Sequence, residues 1–126
     1  MRKLFVTMCA SAFVVSGASA QQAAQMTGAE LREAIAGRTV YLASPLGEVP
    51  IRYAKNGTMH SSTQLALLDG ERTTTDRGRW WVTDNQLCLR WQNWMGSRPY
   101  CFTMYKTGNR VHWRRNDGKI GMARLG

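Results

Sequence analysis

The chain has 126 residues, with 17 lysines and arginines against 8 aspartates and glutamates, for a formal net charge of +9. That length holds one small domain, with no linker, repeat or second domain. The basic balance favours acidic partners and argues against basic ones.

Residues 1–20 read as a secretory signal. Arg2 and Lys3 give the positive end, Leu4 to Val15 the apolar run, and Ala18-Ser19-Ala20 a small-x-small cleavage site. The run is too short to span a bilayer, so no transmembrane segment is expected in the mature chain. Too little apolar sequence precedes Cys9 for a lipid-modified cysteine. The expected location is periplasmic or secreted. Without Arg2 and Lys3, 15 basic residues face 8 acidic ones, about +7. Residues 21–26 form a polar leader, expected to be mobile.

A single domain is expected over residues 27–126. Thr27-Gly28-Ala29-Glu30 matches a capping box, and Leu31, Ala34 and Ile35 make a narrow apolar stripe. A short helix is predicted from about Gly28 to Ala36, ended by Gly37. Strand patterns follow at Thr39 to Ala43 and Val49 to Lys55. Asn56-Gly57 is the strongest hairpin signal. Read as a two-residue turn, it sets Lys55 opposite Thr58 and Tyr53 opposite His60. Gln64 to Leu68 and Glu71 to Thr75 are read as strands around an Asp69-Gly70 turn.

The stretch from Gly78 to Arg115 holds all five tryptophans and Cys88 and Cys101. Turn signals at Asp84-Asn85, Trp94 to Ser97 and Thr107-Gly108-Asn109 divide it into four antiparallel strands. An even cysteine pair in an exported chain favours a Cys88–Cys101 disulfide, which would stabilise the fold by roughly 3 kcal/mol. If these cysteines face each other across a hairpin, Leu87 faces Phe102 and Leu89 faces Tyr100. Alternation then puts Trp80, Val82, Met104, Val111 and Trp113 on that apolar face too. A last strand is expected within Lys119 to Leu125. The predicted fold is mainly β: a small up-and-down antiparallel barrel or strongly bent sheet of about eight strands, preceded by one short helix.

The opposite face carries Arg79, Trp81, Arg90, Thr103, Tyr105, Arg110, His112 and Arg114. It reads either as ordinary solvated surface or as a binding surface. Arginine interleaved with Trp and Tyr suits phosphate, carboxylate or sugar-acid groups. Arg79 is expected opposite Arg90, and Arg114 opposite Cys101. Trp94, beside Arg98 in a hairpin loop, either folds back over a sheet edge or meets a partner.

Gly78-x-Trp80, Leu87-Cys88, Trp91 and Cys101 together resemble a family of small exported proteobacterial proteins known as domain of unknown function 995. The likeness spans roughly Arg38 to Gly126. It implies an exported β-rich domain and carries no activity or catalytic residues. The build also resembles small bacterial inhibitor barrels that block proteases or lysozyme, although a basic inhibitor would be repelled by basic lysozyme.

No glycine-rich phosphate loop, His-Glu-x-x-His, Cys-x-x-Cys or Gly-x-Ser-x-Gly occurs, and no metal, cofactor or catalytic residue is implied. Of the two histidines, His60 is expected to point inward and His112 to belong to the basic face. Asp69, Asp76, Asp84 and Asp117 are read as turn residues. The favoured function is non-enzymatic binding in the bacterial envelope, with Arg79, Trp81, Arg90, Trp94, Arg98, Tyr105, His112 and Arg114 as candidate contacts. The partner would be an anionic glycan, lipid head group or peptidoglycan, or a secreted protein. Nucleic acid is disfavoured by export. The alternatives are an inhibitor of a secreted hydrolase that plugs its target with an exposed helix leader or the Trp94 loop, and a small pocket enzyme using His60.

Overall fold

The computed structural model describes residues 23–126, so the expected signal segment lies outside the described residues. The chain forms β1 (Ala24–Gln25), α1 (Gly28–Ile35), β2 (Arg38–Ser44), β3 (Gly47–Tyr53), β4 (Thr58–Ser62) and α2 (Leu65–Leu68). It continues through β5 (Thr75–Thr83), β6 (Gln86–Trp91), a 3-10 turn (Trp94–Ser97), β7 (Pro99–Thr107), β8 (Arg110–Arg115) and β9 (Ile120–Leu125). Strands β2 to β9 each pair antiparallel with their sequence neighbours. Pairing of β2 with β9, with Val40 opposite Leu125, closes the cylinder. This is the expected eight-stranded up-and-down barrel, and closure leaves no long sheet edge exposed.

Alternation fills the interior. Tyr53, Met59, Trp80, Leu87, Leu89, Trp91, Phe102, Met104, Val111 and Trp113 are all buried in one core. The aromatic rings meet edge to face, Tyr53 with Trp80 at 5.8 Å and Phe102 with Trp113 at 5.3 Å between centroids. Burying rings of this size is the main source of stability in so small a domain.

Helix α1 packs against β2, β5 and β6. Thr27 Oγ1 accepts the Glu30 N–H at 3.2 Å, as the capping pattern predicts. The helix sends Leu31 and Ile35 into the core, both fully buried. Its first N–H, on Gly28, donates to Asn85 Oδ1 in the β5–β6 turn at 2.8 Å, which pins the helix over that end of the barrel.

Four expectations are corrected. The leader is not free: Ala24 and Gln25 pair with Lys106 and Tyr105 of β7, and Met26 is buried. The backbone of β7 runs past the start of β6 and leaves groups there for β1 to satisfy. Leu65–Leu68 forms a helical turn and residues 71–74 a loop, so neither predicted strand exists as drawn. The Asn56-Gly57 hairpin has a longer loop. Gly57 N–H donates to the Ala54 carbonyl at 3.1 Å, and Gly57 has φ +88, a type I turn closed by a left-handed glycine. Tyr53 therefore faces Met59 and not His60. Lastly, Asp76 lies in β5 with its carboxylate buried, not in a turn.

Candidate functional site

Cys88 and Cys101 are bonded and lie opposite each other in the β6–β7 pair. That register fixes which residues of β5 and β6 point outward. Trp81 lies opposite Cys88 and Arg79 opposite Arg90, as expected. Both arginines are exposed, and Trp81 keeps 40% of its surface accessible although its neighbour Cys88 keeps none.

Two further cations join them. The three-residue loop after Ala54 turns His60 outward, opposite Arg52 on β3 and Arg77 on β5. The outer face of β3 to β6 thus carries two transverse rows. One runs Arg52, His60, Arg77, and the other Thr58, Arg79, Arg90. Thr58, Arg77, Arg79, Trp81, Arg90 and Gln92 line one open depression of about 610 Å³. Its floor is close-packed backbone. A side chain at Gly78 would collide with the Arg90 carbonyl and the Met59 methyl, so only glycine lets β5 and β6 approach there.

Among the described residues, no acidic side chain pairs with the charge on this face. The two ion pairs among the described residues lie elsewhere: Arg115 with Asp117 at 2.6 Å and Arg124 with Glu48 at 3.2 Å. The Arg115 guanidinium, helped by the Lys119 N–H, holds the Asp117 carboxyl at about 2 against its own slight desolvation. Arg115 and Arg124 also sit over the rings of Tyr100 and Tyr41, each 4.2 Å from the centroid. Arg52, Arg77, Arg79, Arg90 and Arg98 have no acidic partner among the described residues.

Arg90 is held before anything binds. Its Nε donates to the Ser97 carbonyl at 2.8 Å, and Ser97 Oγ in turn donates to the Gln92 carbonyl at 2.6 Å. The loop supplying that carbonyl is itself anchored from within. Trp94 is buried, packs against Trp91 at a tilt of 52° with centroids 4.9 Å apart, and donates its Nε1–H to the Thr73 carbonyl at 3.1 Å. Met95 N–H donates to Glu71 at 3.0 Å. Trp94 therefore supports the loop from inside and offers no free indole. Arg98 is exposed at the end of the loop, outside the depression.

The other sequence-predicted contacts fall in a second place. Arg114 faces Thr103 and not Cys101, because Thr107 pairs directly with Arg110 across a two-residue turn. Arg114 and Arg90 are separated by β7 and lie at different heights along it, so they do not adjoin. Tyr105 faces His112, which faces Met122 on β9, while Arg114 faces Ile120. His60 lies on the outer surface, so it has no barrel pocket to work in. Among the described residues, no three of His, Cys, Asp and Glu come together as metal ligands would. No helix among them is long and apolar enough to cross a membrane.

Reading the Asn-Gly turn one residue short points Thr58 and His60 inward, reading Asp76 as a turn residue hides that Arg77 belongs to β5, and nothing in the sequence ties Arg52 of β3 to the tryptophan-rich strands. The signal was available: Lys55-Asn56-Gly57 also fits a three-residue hairpin loop with a left-handed glycine at its end. Comparison with protein-family models, curated proteins and solved structures yields no match to this chain.

Proposed function

We propose that the protein is an exported, non-enzymatic binding protein of the bacterial envelope, which takes an anionic partner on the outer face of β3 to β6. One observation carries the reading. Arg79 and Arg90 stand directly opposite each other, in a depression shared with Arg77 and Trp81 and free of acidic partners among the described residues. Like charges directly opposed in a sheet are unfavourable, and an anion seated between them turns that cost into attraction. The disulfide fits an oxidising compartment, and the signal-like start of the chain fits export to the periplasm or beyond. Inhibition of a hydrolase by the Trp94 loop loses its support, because that indole is buried and hydrogen-bonded.

The test is binding to vesicles with and without anionic lipid and to anionic and neutral glycans, across a salt series. Binding should favour the anionic members and weaken steeply with salt. Arg79→Ala with Arg90→Ala should weaken it and flatten the salt dependence. Salt-insensitive binding, or a double variant that binds like the wild type, would reduce the face to ordinary surface.

A further inference from the structure

The residues of the depression narrow the anion, an inference that rests on the binding reading above. Arg77, Arg79 and Arg90 line one depression, and each guanidinium presents fixed forks of N–H donors. A carboxylate brings one charge and two oxygens. A phosphomonoester brings close to two charges and three strong acceptor oxygens at neutral pH. Three guanidiniums without acidic partners among the described residues match the second far better than the first.

Arg90 sharpens the match. Its Nε–H is occupied by the Ser97 carbonyl, so its terminal nitrogens are left for a ligand and its orientation is set in advance. A cation ordered before binding loses less entropy when the anion arrives. Trp81 stands two residues from Arg79 on the same outward face of β5 and is 40% exposed. It gives a flat apolar wall beside the cations, the surface on which a sugar ring or an aliphatic carrier packs. Gln92 and Thr58 add neutral hydrogen-bonding groups to the lining.

We infer that the depression is a phosphomonoester site, in which Arg77, Arg79 and Arg90 take the phosphate and Trp81 packs against the group that carries it. Phosphosugars and phosphomonoester lipid head groups both present this chemistry.

The experiment compares glucose 1-phosphate, glucuronic acid and inorganic phosphate by calorimetry, and vesicles containing phosphatidic acid or phosphatidylglycerol by co-sedimentation. Glucose 1-phosphate should bind roughly tenfold or more tightly than glucuronic acid, the ratio given by one extra charge-assisted hydrogen bond. Arg77→Gln with Arg79→Gln, both solvent-facing, should abolish the preference while the near-ultraviolet spectrum stays native. If that pair unfolds the protein, Arg79→Gln alone should still shrink the preference. Trp81→Ala should weaken glucose 1-phosphate and leave inorganic phosphate unchanged. A preference for phosphatidic acid over phosphatidylglycerol, without glucose 1-phosphate binding, supports the site and assigns its source to lipid. Glucuronic acid binding as tightly as glucose 1-phosphate, with no preference for phosphatidic acid, overturns the phosphate assignment and leaves the anionic face standing. The absence of salt-sensitive binding to every probe overturns both.

Discussion

The carboxylate of Asp76 accepts the backbone N–H groups of Asn93 and Trp94, at 2.9 and 2.8 Å, and the Asn93 side-chain amide at 3.1 Å. One strand residue thereby fixes the loop that holds Arg90. Burial pushes the Asp76 pKa up, but the hydrogen bonds from Trp94, Asn93 and Arg77 outweigh it, and the net shift is downward. A carboxyl with a depressed folded pKa stabilises the fold above its unfolded value, about 3.9. That contribution is lost as pH falls through the lower folded value. Asp76→Asn is therefore expected to cost about 2 kcal/mol at pH 7 and clearly less in acid, where Asp76 itself becomes neutral. Urea unfolding of both proteins at neutral and acidic pH measures this. An equal gap at both would mean the charge contributes nothing.

The tryptophans separate by burial. Trp80 is 8% exposed, meets Tyr53 edge to face, and donates its Nε1–H to the Ala54 carbonyl at 2.8 Å. Trp94 is equally enclosed. Trp80→Ala and Trp94→Ala are each expected to cost about 3–5 kcal/mol, as large aromatic truncations in cores do. Trp81→Ala, on the outer face, should cost clearly less. Chemical denaturation ranks the three, and a Trp81 loss equal to the others would contradict the assigned faces.

Trp113 and Gly121 form a tight pair across β8 and β9. A side chain at Gly121 would collide with the edge of the six-membered ring of Trp113. Gly121→Ala is expected to cost about 1–3 kcal/mol through overpacking. Trp113 Nε1–H is also buried without a hydrogen-bond partner among the described residues, so Trp113→Phe removes an unpaired donor as well as the clashing ring. The double variant should lose less stability than the two single losses added together. Strict additivity would show that ring and glycine are not coupled.

The barrel was legible from sequence where a constraint tied two strands together. Pairing Cys88 with Cys101 set the positions of Leu87, Leu89, Tyr100 and Phe102, and the Asp84-Asn85 turn carried the register back to Trp80. Both turn residues have positive φ, the geometry that a two-residue hairpin needs. Where no such tie exists, the register is not legible. One residue of loop length separates an inward His60 from the outward one observed, and two residues of register separate Cys101 from Thr103, the partner of Arg114. Leu65 to Leu68 reads as a strand by composition. In the fold it forms a helical turn that buries Ala66, with Leu65 packed near Gly47. Local propensity yields there to tertiary packing. The burial of Trp94 is not legible in sequence, because no local pattern reveals the Thr73 carbonyl that accepts its Nε1–H, 21 residues away.

Arg79 and Arg90 oppose each other with equal charge but unequal attachments. Side chains directly opposite in an antiparallel pair have Cβ atoms about 5 Å apart, and like charges there are unfavourable by about 0.5 kcal/mol. Arg90 also donates to the Ser97 carbonyl, a bond that contributes about 1 kcal/mol. No corresponding bond ties down the Arg79 side chain among the described residues. Arg79→Gln is therefore expected to raise stability slightly at low salt, because it removes repulsion and breaks nothing. Arg90→Gln should lower it, because the lost loop contact exceeds the relief. Added salt should erase the gain in Arg79→Gln, since the screening length shrinks from about 10 Å at 0.1 M to about 3 Å at 1 M. The loss in Arg90→Gln should persist in salt and grow slightly as the relief is screened away. Thermal unfolding across a salt series reads both variants together. If the two behave alike, the Arg90–Ser97 contact does not hold the loop, and the claim that Arg90 is ordered before its ligand arrives falls with it.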